Sequence, residues 1–369
     1  MRLALVADWL PTYGGAEHVI AALHRMWPES PLFTTVYNKA RLPALAKADV
    51  RPVGRLQWLY GVLGRHQWLL PLLPRAMEDI DLSGYDVVFS SSHAVGKGIV
   101  PPSGAVHVCY CHTPMRYAWE MEAEYLKDFR VQGWLKKKVK QQLKRLRRWD
   151  VSTARRADVF IANSTETQSR IARIYGRDSI VIPPPVDDRF FESVPGSPAK
   201  DGYYLALGRL VPYKKFDLLI QLANALNINL VIGGTGHEEA RLRALAGPTV
   251  TFKGFVPDAD LPRLYADAKA VLFPQVEDAG IVPLEAQASG TPVVAFGKGG
   301  VLDVVQHGVT GVLANAQTVE SFSAAVLECE AKNWDRAAIR DSARKFSQAK
   351  FKERIETAVA GAVQMFGKR

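Results

Sequence analysis

Residues 273–294 read FPQVEDAGIVPLEAQASGTPVV, and this stretch says more about the fold than any other. An apolar run ends at Phe273, a short loop with two acids follows, and Pro283 stands where a first helical turn accepts proline. A further apolar run begins at Val293. This order of strand, loop, helix and strand predicts one repeating unit of a parallel α/β sheet.

The same alternation extends outward to both ends of the chain. Strands are predicted at 204–207, 230–232, 250–252, 270–273 and 293–295, with helices near 215–226, 237–246, 260–267 and 318–330. Earlier strands are predicted at 3–7, 32–37, 86–90, 106–111, 159–162 and 180–182, and a Gly14-Gly15 turn opens a helix that ends at Met26. The three prolines at 183–185 and a polar stretch at 192–202 interrupt the pattern. We therefore expect two doubly wound domains, 1–190 and 191–347, with a helix at about 348–369 that packs back on the first.

Composition excludes several classes of protein. The chain has 369 residues, of which 48% are hydrophobic and 23% charged, as in an ordinary globular protein. The longest apolar stretch, Leu56–Leu73, contains Arg65, two glycines and one proline, so no membrane span is expected. The run before Asp8 is too short for a signal peptide. The cysteines form neither a disulfide framework nor a zinc motif, which favours a reducing, cytoplasmic location; they are Cys109, Cys111 and Cys329.

Positive charge is concentrated in one predicted helix. The net charge is +10, and residues 130–156 contain eleven basic residues against the single acid Asp150. An apolar stripe with helical spacing runs through the segment: Leu135, Val139, Leu143, Leu146 and Trp149. The pattern is typical of a helix on an anionic membrane, and an ordinary packed helix with a solvated basic face is the alternative. Nucleic acid is not expected, because no nucleic-acid module accompanies the charge.

A second segment could add lipid contact or form a core helix. It is the aromatic-rich stretch that contains Trp58, Tyr60, Trp68, Leu69 and Leu70.

Three glycine-containing segments follow predicted strands. Residues 208–215 read GRLVPYKK, so two cations gather at a strand end beside the start of a helix, where a diphosphate would satisfy their charge. A solvated cationic turn is the alternative. The Gly14-Gly15 pair and residues 233–236 are weaker signals, because a plain tight turn needs the same residues.

Glu277 and Glu285 are the candidate acids of the opening stretch. Their carboxylates can accept hydrogen bonds from vicinal hydroxyl pairs of a sugar and a ribose. Their spacing is equally compatible with a hydrolytic pair, and Glu285 alone with a helix-dipole partner.

These motifs together resemble the family 4 retaining glycosyltransferases of the GT-B fold. The resemblance rests on the Glu277 to Glu285 spacing with residues 288–294, on residues 208–214 and on residues 14–17. Residues 110–119, YCHTPMRYAW, are similar to a bacterial mannosyltransferase-like branch that builds surface polysaccharides. The implied fold is two Rossmann-like domains that face each other across a cleft, the first for the acceptor and the second for the donor.

The resemblance also implies a role for each matched residue. Glu285 would bind the ribose of the donor, Arg209 and Lys214 its diphosphate, and Glu277 the transferred sugar. The backbone amides of Ala279, Gly280 and Ile281 would add to the sugar site, Gly14 and Gly15 would approach the diphosphate or acceptor, and His112 would contact the sugar near the reacting centre. A core histidine is the alternative for His112. Asp278 and Lys215 depart from the family pattern.

The expected activity is hexose transfer with retention, without a protein nucleophile. No metal or cofactor is expected, because Arg209 and Lys214 supply the cations that stabilise the leaving diphosphate. The expected donor is GDP-mannose, with a UDP-sugar as the alternative, and a nucleotide-sugar epimerase of the same fold is the rival activity. The expected acceptor is a glycan or a polyprenyl-diphosphate-linked oligosaccharide of bacterial polysaccharide synthesis.

We expect the enzyme to lie at the inner face of the cytoplasmic membrane. The residues predicted to contact membrane or acceptor are Lys136, Lys137, Lys138, Lys140, Lys144, Arg145, Arg147 and Arg148. A dehydrogenase is excluded, because residues 13–16 lack the glycine spacing of a dinucleotide-binding turn.

Overall fold

The structure is a computed structural model that describes residues 1–119, 133–192 and 202–367. The chain divides into two compact units, the first Met1–Pro183 with Lys352–Arg369 and the second Pro184–Phe351. The sequence placed these boundaries at 190/191 and 347/348, and the polar stretch at 192–202 falls almost entirely outside the described residues.

Unit 1 contains a seven-stranded sheet in which every neighbouring pair is parallel, in the order β3-β2-β1-β4-β5-β6-β7. Its strands are β1 (Leu3–Ala7), β2 (Leu32–Thr34), β3 (Val50–Pro52), β4 (Val87–Ser92), β5 (Val106–Cys111), β6 (Val159–Ala162) and β7 (Ile180–Val181). Strand β3 was missed in the sequence because it is a three-residue edge strand, only partly buried, with Arg51 at its centre.

The helices of unit 1 follow the strands as the pattern predicts. They are α1 (Gly15–Met26), α2 (Gly54–Leu63), α3 (Leu73–Glu78), α4 (Arg116–Trp119), α5 (Gly133–Thr153) and α6 (Thr165–Tyr175). The signals for α6 are local: Ser164 accepts from the backbone N–H of Thr167, and Gly176 ends the helix with a φ of +62°.

Unit 2 contains a six-stranded parallel sheet in the order β10-β9-β8-β11-β12-β13. Its strands are β8 (Tyr204–Leu207), β9 (Leu230–Gly233), β10 (Val250–Gly254), β11 (Ala270–Phe273), β12 (Val293–Phe296) and β13 (Gly311–Ala314). Strand β13 was not predicted, because its four residues follow a glycine turn without a long apolar run.

The helices of this part of the chain are α7 (Arg189–Glu192), α8 (Phe216–Leu226), α9 (Glu239–Leu245), α10 (Leu261–Ala266), α11 (Ile281–Ala288), α12 (Val319–Glu330), α13 (Arg336–Ala343) and α14 (Gln348–Phe366). Helix α14 begins in unit 2 and continues into the segment that belongs to unit 1.

The strand order of each sheet fixes where a ligand can bind. The order reverses between β1 and β4 in unit 1 and between β8 and β11 in unit 2. At such a point neighbouring loops leave in opposite directions from the carboxyl ends of the strands and open a crevice. In unit 2 the loops concerned begin at Gly208 and at Pro274, which are the two segments that the sequence singles out.

The basic helix α5 is held to unit 1 by its apolar stripe. Leu143 is buried, and Leu146 and Trp149 pack against the hydrophobic core. Asp150 is also buried, 2.9 Å from the ammonium of Lys97. The packed-helix alternative is therefore correct for this part of the stripe, while Lys137, Lys140, Lys144, Arg145 and Arg148 remain exposed.

Three basic residues of the predicted patch differ from those. Arg147 is half-buried and donates to the carbonyl of Ala118, so it contributes to packing. The side chains of Lys136 and Lys138 lie outside those that the structure describes. Within the described ranges, no helix has both the length and the apolar content that crossing a membrane requires.

Candidate functional site

The loops after β8 and β9 lie backbone against backbone. The N–H of Gly208 donates to the carbonyl of Gly233 at 3.0 Å, and that of Leu210 to Thr235 at 3.0 Å. Gly234 has a φ of +131°, and a Cβ there would overlap the carbonyl oxygen of Gly208. The glycines at 233–236 thus allow the loop after β9 to pack closely against the loop that carries Arg209. The sequence did not reveal this role.

Lys214 and Glu277 form an ion pair at the reversal point of the unit 2 sheet. The ammonium of Lys214 contacts Oε1 of Glu277, and both side chains are mostly buried although 63 residues separate them in the chain. Arg209, in the same loop as Lys214, is exposed, and no ion pair of its own is found within the described ranges. The site therefore presents one paired cation and one solvent-facing cation to an incoming anion.

The loop that carries Glu277 is shaped by two glycines further along the chain. Gly299 has a φ of +84°, and a Cβ there would lie 2.7 Å from the carbonyl oxygen of Glu277. The N–H of Gly300 donates to the same oxygen at 2.9 Å, and a Cβ on Gly300 would overlap the carbonyl of Asp278. This close approach fixes the loop, and the sequence pattern did not single out either glycine.

Helix α11 begins directly after that loop. Gly280, at its N-cap, has a φ of +68°, which suits a residue without a side chain. The first N–H groups of a helix have no partner within it, so this end presents donors to an anion or a hydroxyl. Ala279, Gly280 and Ile281 lie at this end of the helix, where the resemblance requires them.

Glu285 lies two-thirds of the way into α11 and is hydrogen-bonded by a buried tyrosine. The hydroxyl of Tyr265 donates to Oε2 of Glu285 at 2.7 Å. Burial raises the pKa of Glu285 to about 7, while the Tyr265 hydrogen bond and the nearby Arg189 oppose this rise. The carboxylate is therefore close to half ionised at neutral pH, which makes it a tunable acceptor for ribose hydroxyls.

Tyr265 is itself fixed by contacts beneath it. Its ring packs edge-on against Phe190, with centroids 5.8 Å apart, and its carbonyl accepts from Thr291 at 2.7 Å. Arg336 on α13 donates to Thr291 at 2.5 Å and to the carbonyl of Ala266 at 2.8 Å. Neither Tyr265 nor Arg336 was among the predicted site residues, because a buried tyrosine gives no signal in a single sequence.

Lys215, a departure from the family pattern, adopts a left-handed conformation with a φ of +56°. The position therefore favours glycine, and a lysine there is strained. Its side chain is exposed, whereas that of Lys214 is buried against Glu277, so the structure does not gather both lysines around one anion. The assignment of the diphosphate to Arg209 and Lys214 stays a prediction, and Lys215 is not needed for it.

In unit 1 the reversal point is occupied by Asp8. Its buried carboxylate accepts from the backbone N–H groups of His93, Ala94 and Gly96 and lies 2.9 Å from Nδ1 of His93. Burial alone would raise the pKa of Asp8, but the His93 ring and these hydrogen bonds lower it to about 2. A small, open depression lies beside this pair, with Trp9 and Glu17 also in its lining.

His112 follows β5 at the same edge of unit 1. Its Nε2 is 2.8 Å from the hydroxyl of Ser91, and its carbonyl accepts from Thr167 at 3.1 Å. Burial lowers the pKa of His112 to about 3, with a further contribution from His93, so the ring is neutral at pH 7. A neutral imidazole can hydrogen-bond to a sugar but cannot supply a positive charge. Its contact with sugar stays a prediction.

Gly14 and Gly15 are exposed at the start of α1, in the same unit. Because α1 has twelve residues and its first amides lack partners within the helix, this end can accept an anionic group. Gly14 has extended backbone, and a Cβ there would lie 3.1 Å from a carboxylate oxygen of Glu17.

The cysteines are buried, and burial raises the pKa of Cys109 to about 12. The described residues contain no group of three His, Cys, Asp or Glu side chains placed to hold a metal ion.

Comparison with known proteins identifies the family. The model of the group 1 glycosyl transferases matches residues 187–346, and that of glycosyltransferase family 4 matches residues 13–190. Over 200 residues, the chain is 34% identical to the GDP-mannose-dependent alpha-(1-6)-phosphatidylinositol monomannoside mannosyltransferase of Mycobacterium tuberculosis, covering 46% of this chain and 52% of that protein. It is 28% identical to the mannosylfructose-phosphate synthase of Agrobacterium fabrum over 290 residues, which cover 68% and 62% of the two chains. The chain thus spans about half the length of the first of these relatives.

Solved structures agree in fold. That of Anabaena Alr3699/HepE in complex with UDP superposes with a TM-score of 0.72 at 20% identity, covering 98% of this chain and all of the other. The GT-B fold predicted from the sequence is thereby confirmed, as two parallel-sheet Rossmann-like units. The chain belongs to the family 4 glycosyltransferases.

Proposed function

We propose that this family 4 chain is a retaining glycosyltransferase that takes a hexose from a nucleotide sugar bound by unit 2. The observation that carries the proposal is the Lys214–Glu277 ion pair at the reversal point of one sheet. Arg209 lies in the same loop as Lys214, and Glu285 lies in the helix that follows Glu277. Two cations suit a diphosphate, and two carboxylates suit the hydroxyls of a ribose and a hexose.

The Lys214–Glu277 pair suggests how the donor enters. Each of the two residues neutralises the other, so neither charge is buried alone. We propose that the donor diphosphate replaces Glu277 as the partner of Lys214. Hydroxyl groups of the transferred sugar then replace Lys214 as the partner of Glu277. Arg209, already exposed, joins the diphosphate, and the amides at 279–281 complete the sugar site.

The reaction follows from these charges. The acceptor oxygen forms a bond to the anomeric carbon on the face from which the diphosphate leaves, and the bond to the diphosphate oxygen breaks. The acceptor proton passes to a diphosphate oxygen, so configuration is retained without a protein nucleophile. Arg209 and Lys214 stabilise the charge that develops on the leaving group, and a metal is not required in this scheme.

GDP-mannose is the proposed donor. It is supported by the name of the mycobacterial relative, which shares 34% identity over the matched region. A UDP-sugar is the second candidate, because a structural neighbour was solved with UDP.

The proposed acceptor is a glycan or a polyprenyl-diphosphate-linked oligosaccharide of bacterial polysaccharide synthesis, held by unit 1 at the cytoplasmic side of the membrane. The exposed basic residues of α5 support an anionic surface as partner, among them Lys137, Lys140, Lys144, Arg145 and Arg148. Replacing these five by glutamine should reduce sedimentation with anionic vesicles. Equal sedimentation of the variant would contradict this role of the helix.

Calorimetric titration with GDP, UDP, GDP-mannose and UDP-glucose tests the donor site. Selective binding of GDP and GDP-mannose, lost in Glu285→Ala, is expected. Glu239→Ala is the matched control, because Glu239 lies in the same unit and pairs only with Arg243 on the surface. Selective UDP binding would keep the transferase and replace the donor, whereas a folded protein that binds no nucleotide would overturn the proposal.

Turnover of the bound donor separates the remaining alternatives. NMR of the glycoside product gives its anomeric configuration, and inversion would overturn the scheme. Conversion of the donor sugar without any acceptor would identify an epimerase. Activity that chelation removes and Mg²⁺ restores would contradict the metal-independent mechanism.

A further inference from the structure

Unit 1 exposes large apolar side chains on two neighbouring elements. Helix α2 and the 3₁₀ turn His66–Leu69 pack against each other. Trp58 on the helix is 69% exposed, and Trp68 on the turn is 63% exposed. The same segment also exposes Val62, Leu63 and Leu72. Clustered exposure of this kind marks an interaction surface, whereas single exposed apolar residues are ordinary.

The segment is firmly attached to the rest of unit 1. Leu56, Leu69 and Leu73 are buried in its hydrophobic core, and Tyr60 packs against that core. In α2, Trp58 and Val62 are four residues apart and so share a face, and Leu56 anchors the helix from another side. The exposed tryptophans are therefore presented by a fixed support.

The segment that carries these side chains contains charges of one sign only. Residues 50–77 contain four arginines and no Asp or Glu. Arg51 is paired with Asp49 and Arg75 with Asp79. Arg55 and Arg65 are exposed, and within the described ranges neither forms an ion pair. An apolar surface with unpaired arginines at its border is complementary to anionic lipid headgroups over acyl chains.

The tryptophans favour lipid over a protein as the occupant. Tryptophan is enriched at the level of the headgroups, where its ring meets both acyl chains and water. The basic helix α5 cannot supply this anchor from its described stripe, because Leu143, Leu146 and Trp149 are engaged in the core. Residues 54–72, in contrast, expose the large apolar side chains that contact with a bilayer requires.

We propose that residues 54–72 form a membrane anchor, in which Trp58, Trp68 and their apolar neighbours insert into the interface of an anionic leaflet. This inference rests on the proposed function in one respect, the location of the protein at the cytoplasmic side of the membrane. The anchor supplies shallow insertion, and the arginines supply attraction that salt weakens.

The test compares wild type with Trp58→Ser/Trp68→Ser on vesicles of mixed phosphatidylglycerol and phosphatidylcholine. Phe255→Ser is the matched control, because Phe255 is 76% exposed but lies in unit 2. Sedimentation gives the partition coefficient, and brominated lipids report insertion through quenching of tryptophan fluorescence. Far-ultraviolet circular dichroism and thermal melting check that each variant is folded.

The partition coefficient of the double variant should be at least about tenfold lower than that of wild type. Each tryptophan side chain buried in the bilayer raises the coefficient on the order of tenfold. Quenching by brominated lipid should occur in wild type and Phe255→Ser and disappear in the double variant. Arg55→Gln/Arg65→Gln should weaken binding at low salt more than at high salt.

Three outcomes would overturn the anchor: wild type that ignores vesicles, a double variant that binds as well as wild type, or binding without quenching. If a protein partner covers this surface instead of lipid, wild type will not bind vesicles. Nucleotide titration of the double variant keeps the two proposals apart, because loss of vesicle binding with unchanged nucleotide affinity concerns the anchor alone.

Discussion

Replacing Tyr265 by Phe should make nucleotide binding strongly dependent on pH. The Tyr265 hydroxyl donates to Glu285 at 2.7 Å and opposes the rise in pKa that burial causes. Without that hydrogen bond the ionised carboxylate loses a stabilising donor, so the pKa of Glu285 rises further above about 7. Ribose hydroxyls donate most strongly to the ionised form, and nucleotide affinity should follow the ionised fraction.

The size of the effect follows from the strength of the bond. A hydrogen bond to a charged group contributes about 1.5–3 kcal/mol, which is about one to two pKa units. The ionised fraction at pH 7 then falls from about one half to about one tenth or one hundredth, and affinity for GDP or UDP weakens about 5- to 50-fold. At pH 9 the two proteins should differ by no more than about twofold.

Calorimetric titration of wild type and Tyr265→Phe between pH 6 and pH 9 measures how nucleotide affinity depends on pH. The nucleotide used is the one that wild type prefers. Tyr203→Phe is the control, because the Tyr203 hydroxyl donates to the carbonyl of Leu264 at 2.8 Å and does not contact Glu285. Arg189, Asp187 and Asp258 also influence the pKa of Glu285 and stay unchanged in both variants. An affinity loss of equal size at pH 7 and pH 9 would refute the electrostatic reasoning, as would no loss at pH 7.

Three further changes test other parts of the structure. Asp8→Asn should lower the free energy of unfolding by about 1.5–3 kcal/mol in urea titrations, because the buried carboxylate accepts hydrogen bonds from three backbone N–H groups. Since the folded pKa of Asp8 is lowered from 3.8 to about 2, its contribution is complete above pH 3.8 and is lost as pH falls through 2. The variant should lack that acid-dependent decline. Lys215→Gly should raise the melting temperature by about 2–4 °C. Removing the left-handed strain gains about 1–2 kcal/mol, which outweighs the greater conformational entropy of glycine in the unfolded chain. An unchanged or lower melting temperature in scanning calorimetry would contradict the strain. Gly234→Ala should weaken nucleotide affinity in a protein that still folds, because its Cβ displaces Gly208 and with it the diphosphate loop; full affinity by titration would show that the two loops are independent.

Much of this architecture could be predicted because its signals are local. The strands Leu3–Ala7, Val106–Cys111 and Tyr204–Leu207 were predicted with correct bounds from apolar runs, since buried parallel strands are apolar throughout. Short edge strands such as Val50–Pro52 lack that run, and their existence depends on a neighbouring strand. The predicted site residues are polar groups at strand ends, which a single sequence also displays.

The supporting contacts of the site were not predictable in the same way. Tyr265, Arg336 and the Gly299-Gly300 pair act through contacts with residues distant in the chain, and nothing beside them in the sequence marks that role. For the apolar stripe of α5 the difficulty is different, because the sequence displays the stripe but does not reveal which surface covers it. A helical apolar stripe says that something covers it, but only the fold shows that Leu143 and Trp149 are covered by the protein's own core.

The charged groups of the candidate donor site compensate one another. Lys214 is held by Glu277, and Glu285 gains a proton near neutral pH because burial disfavours its ionised form. Both arrangements avoid a buried, unpaired charge before a ligand arrives. In the proposed binding mode, a nucleotide sugar brings negative charge to Lys214 and Arg209, ribose hydroxyls to Glu285 and hexose hydroxyls to Glu277, so it satisfies every group that it separates. A free sugar would offer hydroxyls without the anion that Lys214 needs, which favours binding of the intact donor over its sugar alone.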